Sequence, residues 1–338
     1  MNRINCRKKV KFVIYKNVLD MAGNTPMIQI FSKDLMNINL FGKLEFYNPT
    51  GSVKDRAASY ILKKVVSTNE INKDTLIIES SSGNFGIALA AVCKKENLNF
   101  TCVIDPCINP INEVLIRQLG ASIIKVDVPD ENGGFLLNRI IEVKKFLAKN
   151  PNSYWVNQYS NKYNSDAYYY LLGEEICNSV ENIDYIFMGV SSGGTITGVS
   201  RKVKERFPNA KVIAVDIYGS VIFGGKPHKR YIPGIGSSMV PTILNDALID
   251  DIVIVDEFST VNACYELLNE NMIFAGGSSG SVYYAIKKYF HGKKFKNKPN
   301  VISIFADRGD RYANTIFNEC WCKEFMINSS KLSLSSIY

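Results

Sequence analysis

A chain of 338 residues with 46% apolar and 21% charged side chains has a globular composition, and length for one large domain or two ordinary ones. Its formal net charge of +8 is spread along the sequence apart from basic clusters at 7–9 and 293–298; no basic stripe with interleaved aromatics points to nucleic acid, and a mild basic excess suits anionic small substrates. Two His in all, His228 and His291, and no CxxC pair among eight Cys leave a His-based metal site, a Ser-His-Asp triad and a Cys-His nucleophile poorly supplied.

Taken from the N-terminus, the apolar run at 12–15 is too short for a signal peptide. No stretch approaches 18 uninterrupted apolar residues, so no membrane span is expected. Free thiols without an export signal point to the cytoplasm. From residue 76 onward, short apolar runs alternate with amphipathic segments. Leu76, Ile77 and Ile78 predict a strand and 84–95 the helix after it; 100–104 is a strand, 112–119 a helix closed by Gly120, 123–126 a strand and 134–148 a helix. A strand at 154–156, a helix near 166–179, a strand at 185–188, a helix at 195–206 and strands at 212–216 and 252–255 follow. Helices near 259–269 and 279–290 and a strand at 301–305 complete the series, and the tail after Lys323 is Ser-rich and expected to be loosely ordered. Strands spaced by helices of this length predict parallel sheets covered on both faces, with binding sites at the carboxyl ends of the strands.

Four loops carry candidate chemistry. In Asn48-Pro49-Thr50-Gly51-Ser52-Val53-Lys54-Asp55-Arg56, Pro49 and Gly51 break the backbone and a helix pattern at 57–66 follows. Lys54 therefore stands at the first turn of a helix, where the dipole disfavours a cation. A lysine tied up as an imine escapes much of that conflict; a solvated surface lysine is the ordinary alternative. Glu79-Ser80-Ser81-Ser82-Gly83-Asn84-Phe85-Gly86 joins a strand to a helix, and its hydroxyls and unpaired N–H groups make a carboxylate cradle, or simply an N-cap at Ser82. Ser191-Ser192-Gly193-Gly194-Thr195 is a candidate phosphate cup without a P-loop lysine, a reading that the motif alone does not decide, and neither GxGxxG nor a Walker sequence occurs anywhere. Ala275-Gly276-Gly277-Ser278-Ser279-Gly280 precedes another helix and by itself reads as a capped turn.

Together, in this order and at these separations, the four loops resemble the β-replacing, fold-type II pyridoxal phosphate enzymes, the family of cysteine synthases and cystathionine β-synthases. Gly23-Asn24-Thr25-Pro26 is similar to that family's opening G-x-T-P, and Asp307-Arg308-Gly309-Asp310-Arg311-Tyr312 to its D-S-G-E-R-Y ending, so the likeness spans residues 18–320. It implies an α/β, tryptophan synthase β-like fold of mostly parallel twisted sheets flanked by helices, in a homodimer. Residues 1–45 plus 156–322 would form a large cofactor-binding domain, 46–155 a smaller mobile one that closes over the substrate, and 323–338 a tail. Carried onto this sequence, Lys54 is the Schiff-base lysine and Asn84 bonds the phenolic oxygen of pyridoxal 5'-phosphate. Ser191, Ser192, Gly193, Gly194 and Thr195 hold its phosphate, and Ser278 faces its ring nitrogen. Ser81, Ser82, Gly83 and Phe85 line the site for the substrate carboxylate. Released by the incoming amine, Lys54 becomes the base at Cα. A serine opposite the ring nitrogen makes a weaker electron sink than an aspartate, which favours loss of a β leaving group.

The chain departs from ordinary cysteine synthases on the second-substrate side. Phe85 replaces the usual Thr, and Ser160-Asn161-Lys162-Tyr163-Asn164 followed by Tyr168-Tyr169-Tyr170 stands where N-P-A-N and its sequel are normal; core packing accounts for at least one of those tyrosines. Asp216-Ile217-Tyr218-Gly219-Ser220, Pro233-Gly234-Ile235-Gly236, Tyr154-Trp155-Val156-Asn157-Gln158-Tyr159 and the D-R-G-D-R-Y ending resemble the branch that joins O-phospho-L-serine to L-glutamate. That branch yields N-(2-amino-2-carboxyethyl)-L-glutamate, a precursor of 2,3-diaminopropionate for siderophores or peptide antibiotics. Arg139, Tyr159 and Ser191 match it as substrate contacts, although Arg139 on a predicted helix reads equally as a surface ion pair. The rivals are a cysteine synthase using acetylserine or phosphoserine with sulfide, and a non-catalytic amino-acid sensor on the same fold.

Overall fold

The computed structural model describes residues 14–131 and 133–325; the basic cluster at 7–9 and residues 326–338 of the Ser-rich tail lie outside them. The strands are β1 (Met27–Ile30), β2 (Asn39–Leu44), β3 (Leu76–Ser80), β4 (Asn99–Ile104), β5 (Ser122–Lys125), β6 (Ser153–Trp155), β7 (Tyr185–Gly189), β8 (Lys211–Ile217), β9 (Asp251–Val255) and β10 (Asn300–Phe305). The α-helices are α1 (Lys54–Ser67), α2 (Asn84–Glu96), α3 (Pro110–Gln118), α4 (Leu136–Lys149), α5 (Lys162–Ala167), α6 (Glu174–Ser179), α7 (Gly194–Arg206), α8 (Glu257–Asn271) and α9 (Gly277–Phe290). Two sheets result, one in the order β1-β2-β10-β7-β8-β9 and one in the order β5-β4-β3-β6. Every pairing is parallel except that of β1 with β2. The α/β architecture expected from the alternation of strands and helices is the one observed.

Burial on both faces explains the continuous apolar runs of the inner strands. Ile77 and Ile78 point to opposite sides of β3 and both are fully buried. One apolar cluster runs from Ile61 of α1 and Ala88 of α2 to Ile186 and Met188 of β7, so the two sheets share a core. The expected helix near 166–179 is instead α5, a π-helical turn at Tyr168–Gly173, and α6. Gly198 of α7 makes that passage possible, since a Cβ there would lie 2.2 Å from the Ser165 carbonyl. Of the three consecutive tyrosines, Tyr168 is the core residue. Residues 319–325 are helical, and Phe325 is buried with its ring stacked 5.0 Å from Trp321. Among the described residues no helix is long and apolar enough to cross a membrane.

Candidate active site

The chain breaks at Pro49 and Gly51 and then enters α1 directly at Lys54. The loop is clamped from two sides. Thr50 gives its N–H to Asp55 Oδ2 at 2.7 Å, and Val53 gives its N–H to the Ala306 carbonyl at 2.8 Å while Ser52 bridges Asp307. Lys54 consequently aims its amine at the loop after β7, with Nζ 3.3 Å from Ser192 Oγ. Burial drives this amine down to about 8, against the opposing pull of the Asp307 charge. Near neutral pH about a tenth of it is therefore in the neutral, nucleophilic form, far more than of an ordinary lysine.

Behind Lys54, Arg56 has no exposed side-chain surface. Its Nε and Nη2 reach Glu45 at 2.6 and 2.8 Å, and its Nη1 and Nη2 reach Glu175 at 2.6 and 2.8 Å. The opening Gly23-Asn24-Thr25-Pro26 motif serves this cluster rather than the cavity: Thr25 Oγ1 donates to Glu45 at 2.5 Å and the Asn24 N–H to Glu175 at 2.8 Å.

The loop after β3 starts α2. Gly83 is its N-cap position and offers no side chain; Ser81 Oγ does the local work, accepting the Gly86 N–H at 3.0 Å. The alternative of an N-cap by Ser82 is thus corrected. Ser82 Oγ instead donates to Asp105 Oδ2 at 2.7 Å and receives Arg139 Nη1 at 2.9 Å. Arg139 Nε lies 3.3 Å from the same carboxylate, and both side chains are largely buried. The surface ion pair read for Arg139 is therefore a wall of the cavity.

A cavity of about 590 Å³ opens at the carboxyl ends of the strands, and Lys54, Ser81, Ser82, Gly83, Asn84, Phe85, Arg139, Tyr159, Ser191, Ser192, Gly193, Thr195 and Ser278 all line it. Of the residues expected at the site only Gly194 stands behind the lining, where a Cβ would meet Asn164 Oδ1 at 2.5 Å. Gly193 takes φ +85, a left-handed conformation open to glycine, and so turns the chain from β7 into α7. The first N–H groups of α7 have no helical acceptor and carry the positive end of its dipole. Ser278 is buried in the first turn of α9, across from Gly189.

Sequence reasoning missed two contributors. Asp307, read only as part of the closing motif, accepts Asn84 Nδ2 at 2.7 Å and the Tyr312 hydroxyl at 2.9 Å. Burial raises its carboxyl above the ordinary value. Arg230, in the loop at 219–241, lines the cavity together with Lys229. The signal was available in Lys226-Pro227-His228-Lys229-Arg230, a basic run in the sequence.

These features suit a phosphorylated aromatic aldehyde. A buried amine with a lowered pKa can condense with the aldehyde, the N-terminus of α7 with its hydroxyls can take the phosphate, and the volume is that of a small-molecule site. A family profile described as pyridoxal-phosphate dependent enzyme matches residues 18–307. Among solved structures, the O-acetylserine dependent cystathionine beta-synthase from Helicobacter pylori is 32% identical over 90% of this chain and 99% of that one, with a TM-score of 0.83. A hydrogen sulfide-producing enzyme from Fusobacterium nucleatum is 28% identical over 88% and 100%, with a TM-score of 0.82. O-ureido-L-serine synthase, 24% identical over 91% and 96% with a TM-score of 0.83, shares the fold. A profile spanning most of the sequence, two relatives aligned almost end to end and an amine held ready for an aldehyde lead to one assignment: the chain belongs to the pyridoxal-phosphate dependent enzymes, with that coenzyme as its cofactor.

Proposed function

We propose that this β-replacement enzyme joins O-phospho-L-serine to L-glutamate, releasing phosphate and N-(2-amino-2-carboxyethyl)-L-glutamate. The observation that carries the reading is the charge of the cavity: besides Lys54, which the coenzyme engages, Arg139, Lys229, Arg230 and Arg311 line it against Asp105 and Asp307. Hydrogen sulfide would need no such excess, whereas a phosphate and three carboxylates do.

Bound pyridoxal phosphate withdraws electrons from the substrate, which makes the α proton removable and the β substituent able to leave. The protein supplies the rest. Ser191, Ser192, Gly193, Gly194 and Thr195 hold the phosphate of the coenzyme. Asn84 and Ser278 fix its ring, and the neutral serine leaves the ring nitrogen without a charged partner. The loop of Ser81, Ser82, Gly83 and Phe85 takes the carboxylate of phosphoserine, with Arg139, Tyr159 and Ser191 beside it. Lys54 Nζ, which would anchor the coenzyme in the resting enzyme, would take the proton from Cα and return it after glutamate nitrogen has bonded to the β carbon. The buried wall excludes water that would otherwise compete with that nitrogen.

Residues 46–155 act as the mobile part that closes over the substrates, and two copies of the chain form the working molecule. Light scattering would then give twice 37.9 kDa. Pure enzyme with phosphoserine and glutamate is expected to release phosphate and form the amine adduct, identified by its mass. No adduct, but rapid formation of cysteine on adding sulfide, would make the protein a cysteine synthase.

A further inference from the structure

Arg230 differs from the other arginine beside the expected carboxylate loop. Arg139 faces Asp105 at 3.3 Å and contacts Ser82 at 2.9 Å, so its charge is answered within the protein. Arg230 donates only to neutral oxygens: Nη1 to the carbonyls of Gly219 at 3.1 Å and Ser237 at 2.9 Å, and Nη2 to Ser238 Oγ at 3.1 Å. Among the described residues no carboxylate lies within ion-pair distance of it. The acidic groups that act on it are engaged elsewhere, Asp216 with the Ile217 N–H and Glu257 with the N–H groups of Tyr231 and Ile232. A half-buried guanidinium held by carbonyls and a hydroxyl keeps its full charge with no counter-ion, a costly arrangement unless an anion arrives. Its Nε–H and one Nη2–H have no acceptor among the described residues, and it sits on the cavity wall.

We propose that Arg230 binds the side-chain carboxylate of the amino-acid nucleophile and thereby selects an acidic second substrate over a neutral one. The inference deepens, and rests on, the reading that the second substrate is glutamate. Arg139 and Arg230 approach the Tyr159 phenol as two separate charges. Arg139, bonded to the loop of Ser82, belongs with the first substrate, and Arg230, from the opposite segment of sequence, with the second. Both substrates are anions, so the phosphate of phosphoserine is the competing occupant that the test must separate.

The experiment compares the unaltered holoenzyme with Arg230→Gln and Arg230→Lys, using phosphoserine with glutamate, glutamine or sulfide. Matched visible spectra and melting curves establish that the variants are loaded and folded. Arg230→Gln is expected to lower kcat/KM for glutamate about 10-fold or more, as for a lost charge-assisted bond, chiefly through KM. The loss with glutamine or sulfide should be smaller by about the same factor, and Arg230→Lys should recover part of the glutamate activity. Equal losses with glutamate and glutamine overturn the proposal, as does a rise confined to the KM of phosphoserine, which would put the leaving phosphate at Arg230. Failure of the unaltered enzyme to form any glutamate adduct overturns the reading of the second substrate itself, and this inference with it.

Discussion

Lys54 shows how position sets reactivity. The same side chain in water holds its proton until about pH 10.4; at the buried start of α1 it releases it near 8. Desolvation acts against the charged form, so the neutral amine grows as pH rises through that value. Capture of pyridoxal phosphate by the apoenzyme, followed by the growth of visible absorbance, is therefore expected to quicken from pH 6 upward and level off above about 8. A plateau reached only near the ordinary lysine value would contradict the buried setting. Lys54→Ala should lower turnover about 100- to 10,000-fold, the range for loss of a positioned base, and should leave no coenzyme fixed to the chain by borohydride. Its place at the start of a helix was legible in Pro49, Gly51 and the pattern after them, whereas its chemical role rests on the resemblance carried by the four loops together. The role of Asp307 was not legible, since it depends on contacts such as that with Asn84, 223 positions away in sequence.

At the scale of elements, α1 is held by the charge cluster around Arg56. A guanidinium with no exposed surface faces Glu45, equally buried, and the partly exposed Glu175. Removing one member of a buried pair leaves an uncompensated charge and typically costs about 3–5 kcal/mol. Arg56→Met should lower the unfolding free energy obtained from denaturant titration by that amount. Burial would raise the Glu175 carboxyl, but Arg56 and Lys43 outweigh it and hold it at about 2. A carboxylate with a depressed folded-state value contributes its stability above the unfolded value, about 4.3, and loses it as pH falls toward 2. The native protein should thus lose more stability across that acid window than Glu175→Gln, as read by thermal melting at each pH. The strands and helices from residue 76 onward were legible in their apolar periodicity. β1 and β2 were not: β1 is four residues long, and β2 buries Lys43 at 2% exposure for the Arg56 cluster, which hides a core strand behind a charged residue.

In the whole molecule, the two sheets meet over a shared core with their carboxyl ends turned to one cavity. The order of strands and helices predicted this class of architecture, because parallel sheets follow from the crossovers. It did not predict the π-turn at Tyr168–Gly173, which answers to the close approach of Gly198 rather than to local pattern. The pairing of Ser52 with Asp307 also bears on biosynthesis. A ribosome delivers the reactive amine long before the segment that fixes its loop, and the closure of so long a span is slow compared with local folding. Nascent or truncated chains ending before β10 should therefore remain colourless in the presence of the vitamin, and colour should emerge only from polypeptides that have been finished.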